Sequence, residues 1–143
     1  MKIVLDTNVL SELMNTQGSK RVKNWVATQP REKLFITTIT QAEILYGIAI
    51  LPDGKRSQAL KETAQAMFIE DFAEKILPFE EKAAVCFAEI AAHRKKIGRP
   101  ISQADAQIAA ICLANNAEIA TRNVEDFREC QINIINPWDI WTN

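Results

Sequence analysis

The sequence has 143 residues, of which 48% are apolar and 24% are charged, and these proportions are ordinary for a globular domain. Its formal net charge of −1 gives no general attraction to nucleic acid, so any contact with a polyanion would depend on a local basic patch. No apolar run approaches the roughly 18 residues of a membrane-spanning helix, and no signal peptide is recognisable. We therefore expect a single cytoplasmic domain over residues 1–143, with no membrane segment.

Short apolar runs alternate with longer amphipathic stretches along the chain. The runs predict five strands, at residues 2–5, 34–38, 76–79, 118–121 and 133–135, with Pro78 limiting the third. The amphipathic stretches predict helices near residues 8–14, 21–28, 41–51, 55–72, 80–97 and 103–115. Alternation of strands and helices is typical of crossover units, which predicts a mostly parallel, roughly five-stranded α/β sheet covered on both faces.

The three cysteines, Cys86, Cys112 and Cys130, are an odd number without paired spacing. That pattern argues against a disulfide framework and against a zinc site. Cys86 and Cys112 also fall at apolar helical positions, so we expect reduced, buried thiols.

Acidic and amide side chains follow the predicted strands at the points where the strands end. Asp6 comes directly after the first strand, and Glu43 follows the second. Asp105 lies in the first turn of the last long helix, and Asn123 follows the fourth strand, with Asp126 three residues further on. Because binding sites in open parallel sheets lie at the carboxyl ends of the strands, we expect these residues to meet at one edge.

Helix capping offers a simpler interpretation of the same acids. Three segments have the spacing of a capping box, namely Thr40 to Glu43, Ser102 to Asp105 and Asn123 to Asp126. Asp6 could likewise begin the helix that follows the first strand. Taken one at a time, each acid is better explained as a cap than as a catalytic group.

Two features of the whole set favour a metal site. A carboxylate at the end of a central strand, such as Asp6, would be partly desolvated and would need a partner. Apart from Arg122, no basic residue adjoins the acids in the sequence, so gathered carboxylates would repel one another. Mg²⁺ relieves that repulsion and activates water for attack on a phosphodiester. The single histidine, His93, excludes a two-histidine ribonuclease, and no GxxxxGK[ST] phosphate loop is present.

Five segments carry a resemblance to a known family: LDTNVLSEL at 5–13, TTITQAEILYGI at 37–48, GRPISQADAQIAAICL at 98–113, ATRNVEDF at 120–127 and INPW at 135–138. In this order and spacing they resemble the PIN-domain family, and within it the VapC-type toxins, including FitB-like members. The resemblance implies a three-layer α/β/α domain and a divalent-metal-dependent endoribonuclease that uses Mg²⁺, with Mn²⁺ able to substitute. It also implies the toxin of a type II toxin–antitoxin system, a homodimer that a small antitoxin protein neutralises.

The resemblance also assigns roles to individual residues. Asp6, Glu43 and Asp105 match the family's first three acids and would ligate the metal. Asn123 falls at the fourth acid position, where many members have Asp, and its amide would assist. Asp126 could replace the missing charge, but we expect it instead to cap the short helix around residues 125–127.

Polar residues beside the acids match the family as well. Thr7 and Asn8 follow the first acid, and Thr121 lies beside the fourth position. The resemblance implies that these three side chains orient Asp6 and bound water through hydrogen bonds.

A basic run closes the predicted helix at 80–97 and leads towards Asp105. The residues of this run and Arg122, which follows the fourth strand, are the candidates for binding RNA phosphates: Arg94, Lys95, Lys96, Arg99 and Arg122. The run also suits a helix C-terminus, where positive charge complements the helix dipole and Gly98 can end the helix. Position alone favours this structural interpretation, and the RNA interpretation stays open beside it.

The turn at residues 51–54 separates two predicted helices, which in the family form a clip that grips the partner protein. Tyr46, Ile48 and Leu51 are therefore either core residues or partner contacts. Trp138 and Trp141 are expected to pack rather than to stack on RNA bases. The alternative function is a catalytically weak or inactive PIN-like module that binds a partner protein, and the amide at the fourth acid position supports it.

Overall fold

Strands and helices alternate along the chain, and the computed structural model describes residues 1–140. The strands are β1 (Lys2–Leu5), β2 (Leu34–Thr37), β3 (Ile76–Leu77), β4 (Ala117–Ala120) and β5 (Ile134–Ile135). The helices are α1 (Thr7–Met14), α2 (Lys20–Thr28), α3 (Thr38–Ala49), α4 (Lys55–Ala66), α5 (Glu81–Lys96) and α6 (Gln103–Ala114). Shorter helical turns occupy Arg31–Lys33, Met67–Asp71 and Val124–Phe127. Trp141 lies outside the described residues.

The strands form one parallel sheet in the order β3-β2-β1-β4-β5, which confirms the predicted parallel arrangement. β1 lies at the centre, between β2 and β4. Leu5 is in register with Ala120, so the residues that follow these two strands, Asp6 and Thr121, emerge side by side. The Asp6 N–H donates to the Ala120 carbonyl at 2.9 Å, which extends the register to the edge of the sheet.

Two apolar cores, one on each face of the sheet, hold the helices in place. Leu5 and Ile36 belong to the core that the sheet shares with α1, α2, α3 and α4. Val4 and Ile119 belong to the opposite core, which α5 and α6 close with residues such as Ile108. Helices therefore cover both faces, and the three-layer α/β/α prediction is confirmed.

Two predicted elements, the third strand and the helix over residues 55–72, end earlier than the sequence predicts. β3 ends at Leu77 because Pro78 has no N–H to continue the hydrogen-bond ladder. The predicted helix over residues 55–72 is interrupted, since α4 ends at Ala66 and a π-helical turn follows. In that turn the Phe72 N–H donates to the Met67 carbonyl at 2.9 Å, one residue further back than in an α-helix.

Cys112 and Cys130 are buried, Cys86 is half-buried, and all three thiols are free. Within residues 1–140, no helix combines the length and apolar character that crossing a membrane would require.

Candidate active site

Asp6 lies at the carboxyl end of the central strand and is only 4% exposed. Three donors fix its carboxylate: the Thr7 N–H at 2.8 Å, the Thr121 hydroxyl at 2.7 Å and the Asn8 amide at 3.2 Å. The Asn8 side-chain oxygen in turn accepts from the Arg122 backbone N–H at 3.2 Å. The end of β1 and the end of β4 are thus tied together around one carboxylate, and Asp6 also caps α1 as its position predicts.

Burial raises the pKa of Asp6 to about 6. Hydrogen bonds from Thr121 and Thr7 oppose that rise, and the negative charges of Asp105 and Glu43 add to it. The structure therefore brings the three predicted acids close enough to influence one another electrostatically.

Glu43 reaches the site from α3 through a chain of hydroxyl groups. The Thr7 hydroxyl donates to Glu43 Oε1 at 2.7 Å and lies 3.0 Å from the Thr40 hydroxyl. Because a threonine hydroxyl has one hydrogen, Thr40 donates to Thr7. Thr40 is fully buried, so the chain is anchored in the protein interior.

The predicted capping box at Thr40 is wrong. α3 begins at Thr38 directly after β2, and the Thr37 side chain accepts from the Thr40 N–H at 3.1 Å. Thr37 is therefore the cap, and Glu43 lies in the second turn, too far along the helix to reach back to it. This shift of three residues leaves the Glu43 side chain available to the site. It also leaves the Thr40 hydroxyl, which the sequence pattern had presented only as a cap, hydrogen-bonded to Thr7 instead.

Asp105 lies in the first turn of α6, where the Ser102 hydroxyl accepts from its N–H at 3.2 Å, as the capping pattern predicts. Burial raises the pKa of Asp105, and a hydrogen bond from the Ser102 side chain opposes that effect. The charges of Asp126 and Glu43 raise this pKa further, while Arg94 lowers it. One acid can thus belong to a helix cap and still face the other carboxylates.

The segment at the fourth acid position differs from the prediction. Asn123 is exposed, and its N–H donates to the Thr121 hydroxyl at 3.0 Å. The predicted cap by Asp126 is wrong, because no side chain caps the short turn Val124–Phe127. The Asp126 N–H is already satisfied by the Asn123 carbonyl at 3.1 Å. The Asp126 carboxylate is exposed and acts electrostatically on Asp105.

Arg94 is a structural residue that the sequence had grouped with surface charges. It is only 5% exposed, and its guanidinium donates to the backbone carbonyls of Arg99 at 2.6 Å and of Asp126 and Arg128 at 2.9 Å each. Its burial removes it from the candidates for binding RNA phosphates. Its charge nevertheless acts on Asp105, a basic influence that adjacency in the sequence did not reveal.

The other basic candidates lie on the surface. Lys95 and Lys96 are exposed at the end of α5, and Arg122 is exposed at the end of β4. Arg99 is exposed but pairs with Glu125 at 3.0 Å. Within residues 1–140, Lys95, Lys96 and Arg122 form no ion pair with an acidic side chain. Their charges are therefore available to another partner.

Comparison with known proteins identifies the family to which this arrangement belongs. A family model described as the PIN domain matches residues 3–132. The chain belongs to the PIN domain family. Plasmid stability protein StbB from Pseudomonas syringae pv. tomato is 39% identical to this PIN domain over 96% of the chain and 99% of the relative. VapC ribonuclease Y4jK from Sinorhizobium fredii is 36% identical over 96% of the chain and 98% of the relative.

A relative and a solved structure from Neisseria gonorrhoeae agree with this assignment. Toxin FitB is 36% identical to this PIN domain over 95% of the chain and 98% of the relative. The crystal structure of FitAcB matches with a TM-score of 0.91 at 36% identity, covering 96% of this chain and 99% of that chain. The fold and the order of its elements are therefore those of a solved relative.

The chemistry of the donor set fits a Mg²⁺ ion. The acids offer hard oxygen ligands, and their mutual repulsion favours a divalent cation among them. Within residues 1–140, however, no three acidic, histidine or cysteine side chains are close enough together to hold a metal jointly. Because Mg²⁺ keeps several waters and binds through one or two carboxylates, the site suits an ion with few direct protein ligands.

Proposed function

We propose that this PIN domain is a divalent-metal-dependent endoribonuclease and acts as the toxin of a toxin–antitoxin pair. The observation that supports the proposal is electrostatic proximity at the carboxyl end of the sheet: Asp105 and Glu43 both raise the pKa of Asp6, and Glu43 also raises that of Asp105. Similar chains include a VapC ribonuclease and a toxin, and they are matched over almost their whole length. We place its action in the cytoplasm, where cellular RNA is accessible.

In this proposal Asp6, Glu43 and Asp105 hold Mg²⁺, for which Mn²⁺ can substitute. When bound, the ion supplies positive charge at the phosphate and activates water as the nucleophile. Thr121 and Asn8 hold the Asp6 carboxylate in one orientation through their hydrogen bonds. No side-chain nucleophile is required, so no covalent enzyme intermediate forms.

Two further groups complete the chemistry that the chain itself supplies. Thr40 and Thr7 fix the orientation of Glu43, because each hydroxyl donates to the next acceptor in the chain. Asn123 at the fourth acid position contributes an amide oxygen, and Asp126 contributes the charge that the amide lacks. The acidic edge would still repel RNA, and exposed Lys95, Lys96 and Arg122 offset that repulsion.

A groove beside the site suits the antitoxin. It has a volume of about 660 Å³, lies between α1, α3 and α4, and begins at Thr7 and Glu43. Ile48 and Leu51 line it, and Tyr46 is 67% exposed on the outer face of α3. Because Tyr46 and Ile48 lie on α3 and Leu51 begins the turn that follows it, we propose these three residues as antitoxin contacts. We also propose that the toxin is a homodimer, as in the family it resembles.

The test of the nuclease is metal-dependent cleavage of a structured RNA by the purified chain. Cleavage is expected with Mg²⁺ or Mn²⁺, and loss of it is expected in EDTA and in Asp6→Asn. Asp53→Asn, which changes an exposed acid in the turn between α3 and α4, is the matched control and should retain activity. Equal cleavage by the wild type and Asp6→Asn would indicate a contaminating nuclease and favour a non-catalytic partner-binding module.

A further inference from the structure

Arg122 and Trp138 form a cation–aromatic pair at the rim of the acidic site. Arg122 directly follows Thr121, whose hydroxyl donates to Asp6, and its own N–H donates to Asn8 at 3.2 Å. The Arg122 guanidinium carbon lies over the Trp138 ring, 5.2 Å from its centroid. The pair is therefore fixed to the same backbone that positions the first acid.

The Trp138 side of the pair is held from the protein interior. The Trp138 ring packs against the core shared with α1 to α4, and the Trp138 backbone N–H donates to the Asn136 side-chain oxygen at 3.0 Å. Its carbonyl accepts from Arg21 at 2.8 Å. A ring held in this way supports Arg122 from one side and leaves that exposed side chain accessible from the other.

Arg122 differs from the other arginines near it in its charge partners. Arg99 and Arg128 share Glu125, at 3.0 and 2.6 Å respectively. Across residues 1–140, by contrast, no carboxylate comes within ion-pair distance of Arg122. Its guanidinium is thus held by an aromatic ring rather than by a counter-charge, which leaves its positive charge and its planar face for a ligand.

A polar groove of about 400 Å³ runs from Arg122 past Asn123 and Asp126 towards Asn136 and Asp139. Its volume lies within the range of small-ligand sites. Asp126 also acts on the charge of Asp105, so one end of the groove adjoins the acidic site. Two more carboxylates line the groove: Asp139 accepts from the Asn136 amide at 3.2 Å, and Glu125 is paired with Arg99 and Arg128. These carboxylates disfavour a phosphate inside the groove and favour the N–H donors of a nucleobase edge.

We propose that Arg122, supported by Trp138, is a stacking platform for one unpaired RNA base next to the cleaved bond, and that the polar groove receives that base. This inference rests on the proposed ribonuclease function and names where one nucleotide of its substrate binds. RNA-binding proteins stack splayed bases on arginine planes and aromatic rings, and one such contact typically changes affinity by about tenfold. It assigns Trp138 an indirect RNA role, where the sequence pattern predicted packing alone.

The test first maps the bond that the wild-type chain cleaves in a single-stranded RNA. Binding is then measured in the inactive Asp6→Asn background by fluorescence anisotropy. The probes are the intact RNA and versions with one abasic nucleotide at each position beside that bond. With Arg122 present, one abasic position should weaken binding about tenfold. With Arg122→Ala, the intact RNA should bind about tenfold more weakly, and the same abasic position should cause no further loss.

Two control variants separate base stacking from simple charge. Arg122→Lys keeps the positive charge but lacks the planar group, so it should retain the salt dependence of binding and lose the abasic effect. Arg128→Ala removes an exposed arginine at the same groove and should retain the abasic effect. An abasic effect that is unchanged in Arg122→Ala, or retained in Arg122→Lys, would overturn the stacking platform alone. A wild-type chain that neither binds nor cleaves RNA would overturn the proposed function and the platform together.

Discussion

Asp6 concentrates the chemistry of the site in one residue. It is nearly inaccessible to solvent, it accepts hydrogen bonds from two side chains and one backbone N–H, and other carboxylates lie near it. A protein rarely keeps such a charge without a compensating cation, because desolvation penalises the ionised form. The ionisation of Asp6 should therefore make the stability of the metal-free protein depend on pH.

We expect the metal-free chain to lose stability relative to Asp6→Asn as the pH rises from about 4 to about 7. The pKa of Asp6 is about 6 in the folded state, whereas the ordinary value of 3.8 applies to the unfolded chain. The stability that the protonated group contributes is present below pH 3.8 and is lost as the pH rises through about 6. The loss should reach about 3 kcal/mol.

Urea unfolding of both proteins in EDTA, at several pH values, measures this difference. Mg²⁺ added above pH 6 should recover part of the loss in the wild type and none in Asp6→Asn. A stability difference that stays constant from pH 4 to 7 would mean that Asp6 ionises as an ordinary surface acid does.

Thr40 should matter for cleavage although it touches no substrate. Thr40→Val preserves the volume and removes the hydroxyl that donates to Thr7, so the Glu43 carboxylate loses its support. A neutral hydrogen bond contributes about 1 kcal/mol, which corresponds to a roughly fivefold loss of kcat. Steady-state kinetics should show kcat falling and KM unchanged, and Thr40→Ser should restore the rate. Wild-type kinetics in Thr40→Val would remove Thr40 from the site.

At the scale of elements, the end of α5 organises the fourth position of the site. Gly98 takes a φ of 76°, and the Arg99 N–H then donates back to the Arg94 carbonyl at 2.8 Å, which ends the helix. That ending places the Arg94 guanidinium against the segment that carries Asp126. One buried side chain therefore links the end of α5, the start of the next loop and the turn after β4.

Arg94→Met should reduce the free energy of unfolding by at least about 3 kcal/mol, because three backbone carbonyls lose their buried donor. The stability of Arg94→Lys should lie between those of the wild type and Arg94→Met, since an ammonium group cannot reproduce the planar guanidinium's hydrogen bonds. Lys95→Met, at the exposed neighbouring position, is the control and should change stability little. Urea unfolding provides the measurement, and equal stabilities of Arg94→Met and Lys95→Met would contradict a structural Arg94.

The sequence predicted the strands and the acids that follow them because both depend on local patterns. A short apolar run followed by a polar residue marks the end of a strand, as at Asp6. The contributions of Thr40 and Arg94 could not be read in the same way. Their partners lie far along the chain, with Thr7 33 residues from Thr40 and Asp126 32 residues from Arg94. The starting residue of α3 also decided whether Glu43 belongs to the helix cap, and local spacing did not reveal that residue.

At the scale of the whole molecule, charge is nearly balanced, and RNA must be attracted by a local surface. The formal net charge is −1, and the acids of the site face the approaching phosphates. Exposed Lys95 and Lys96 provide the local positive charge in this account. Their effect should depend on ionic strength, because surface charges are screened over about 10 Å at 0.1 M salt.

Reversal of both charges, in Lys95→Glu with Lys96→Glu, should lower kcat/KM for RNA several-fold at low salt. The difference from the wild type should shrink at about 0.5 M salt, where screening removes the attraction. Lys20→Glu with Lys33→Glu changes the same charge on exposed residues elsewhere and is the matched control. Cleavage rates with the same salt dependence in all three proteins would show that Lys95 and Lys96 do not guide RNA.

The central claim is that Asp6, Glu43 and Asp105 share one divalent cation. Crystals of the wild-type protein soaked in Mn²⁺ test it directly through the anomalous scattering of the metal. The account predicts an anomalous peak among these three carboxylates, with one or two of them bound directly and the others through water. Ordered carboxylates with no peak between them, or a peak at some other place on the molecule, would contradict the account.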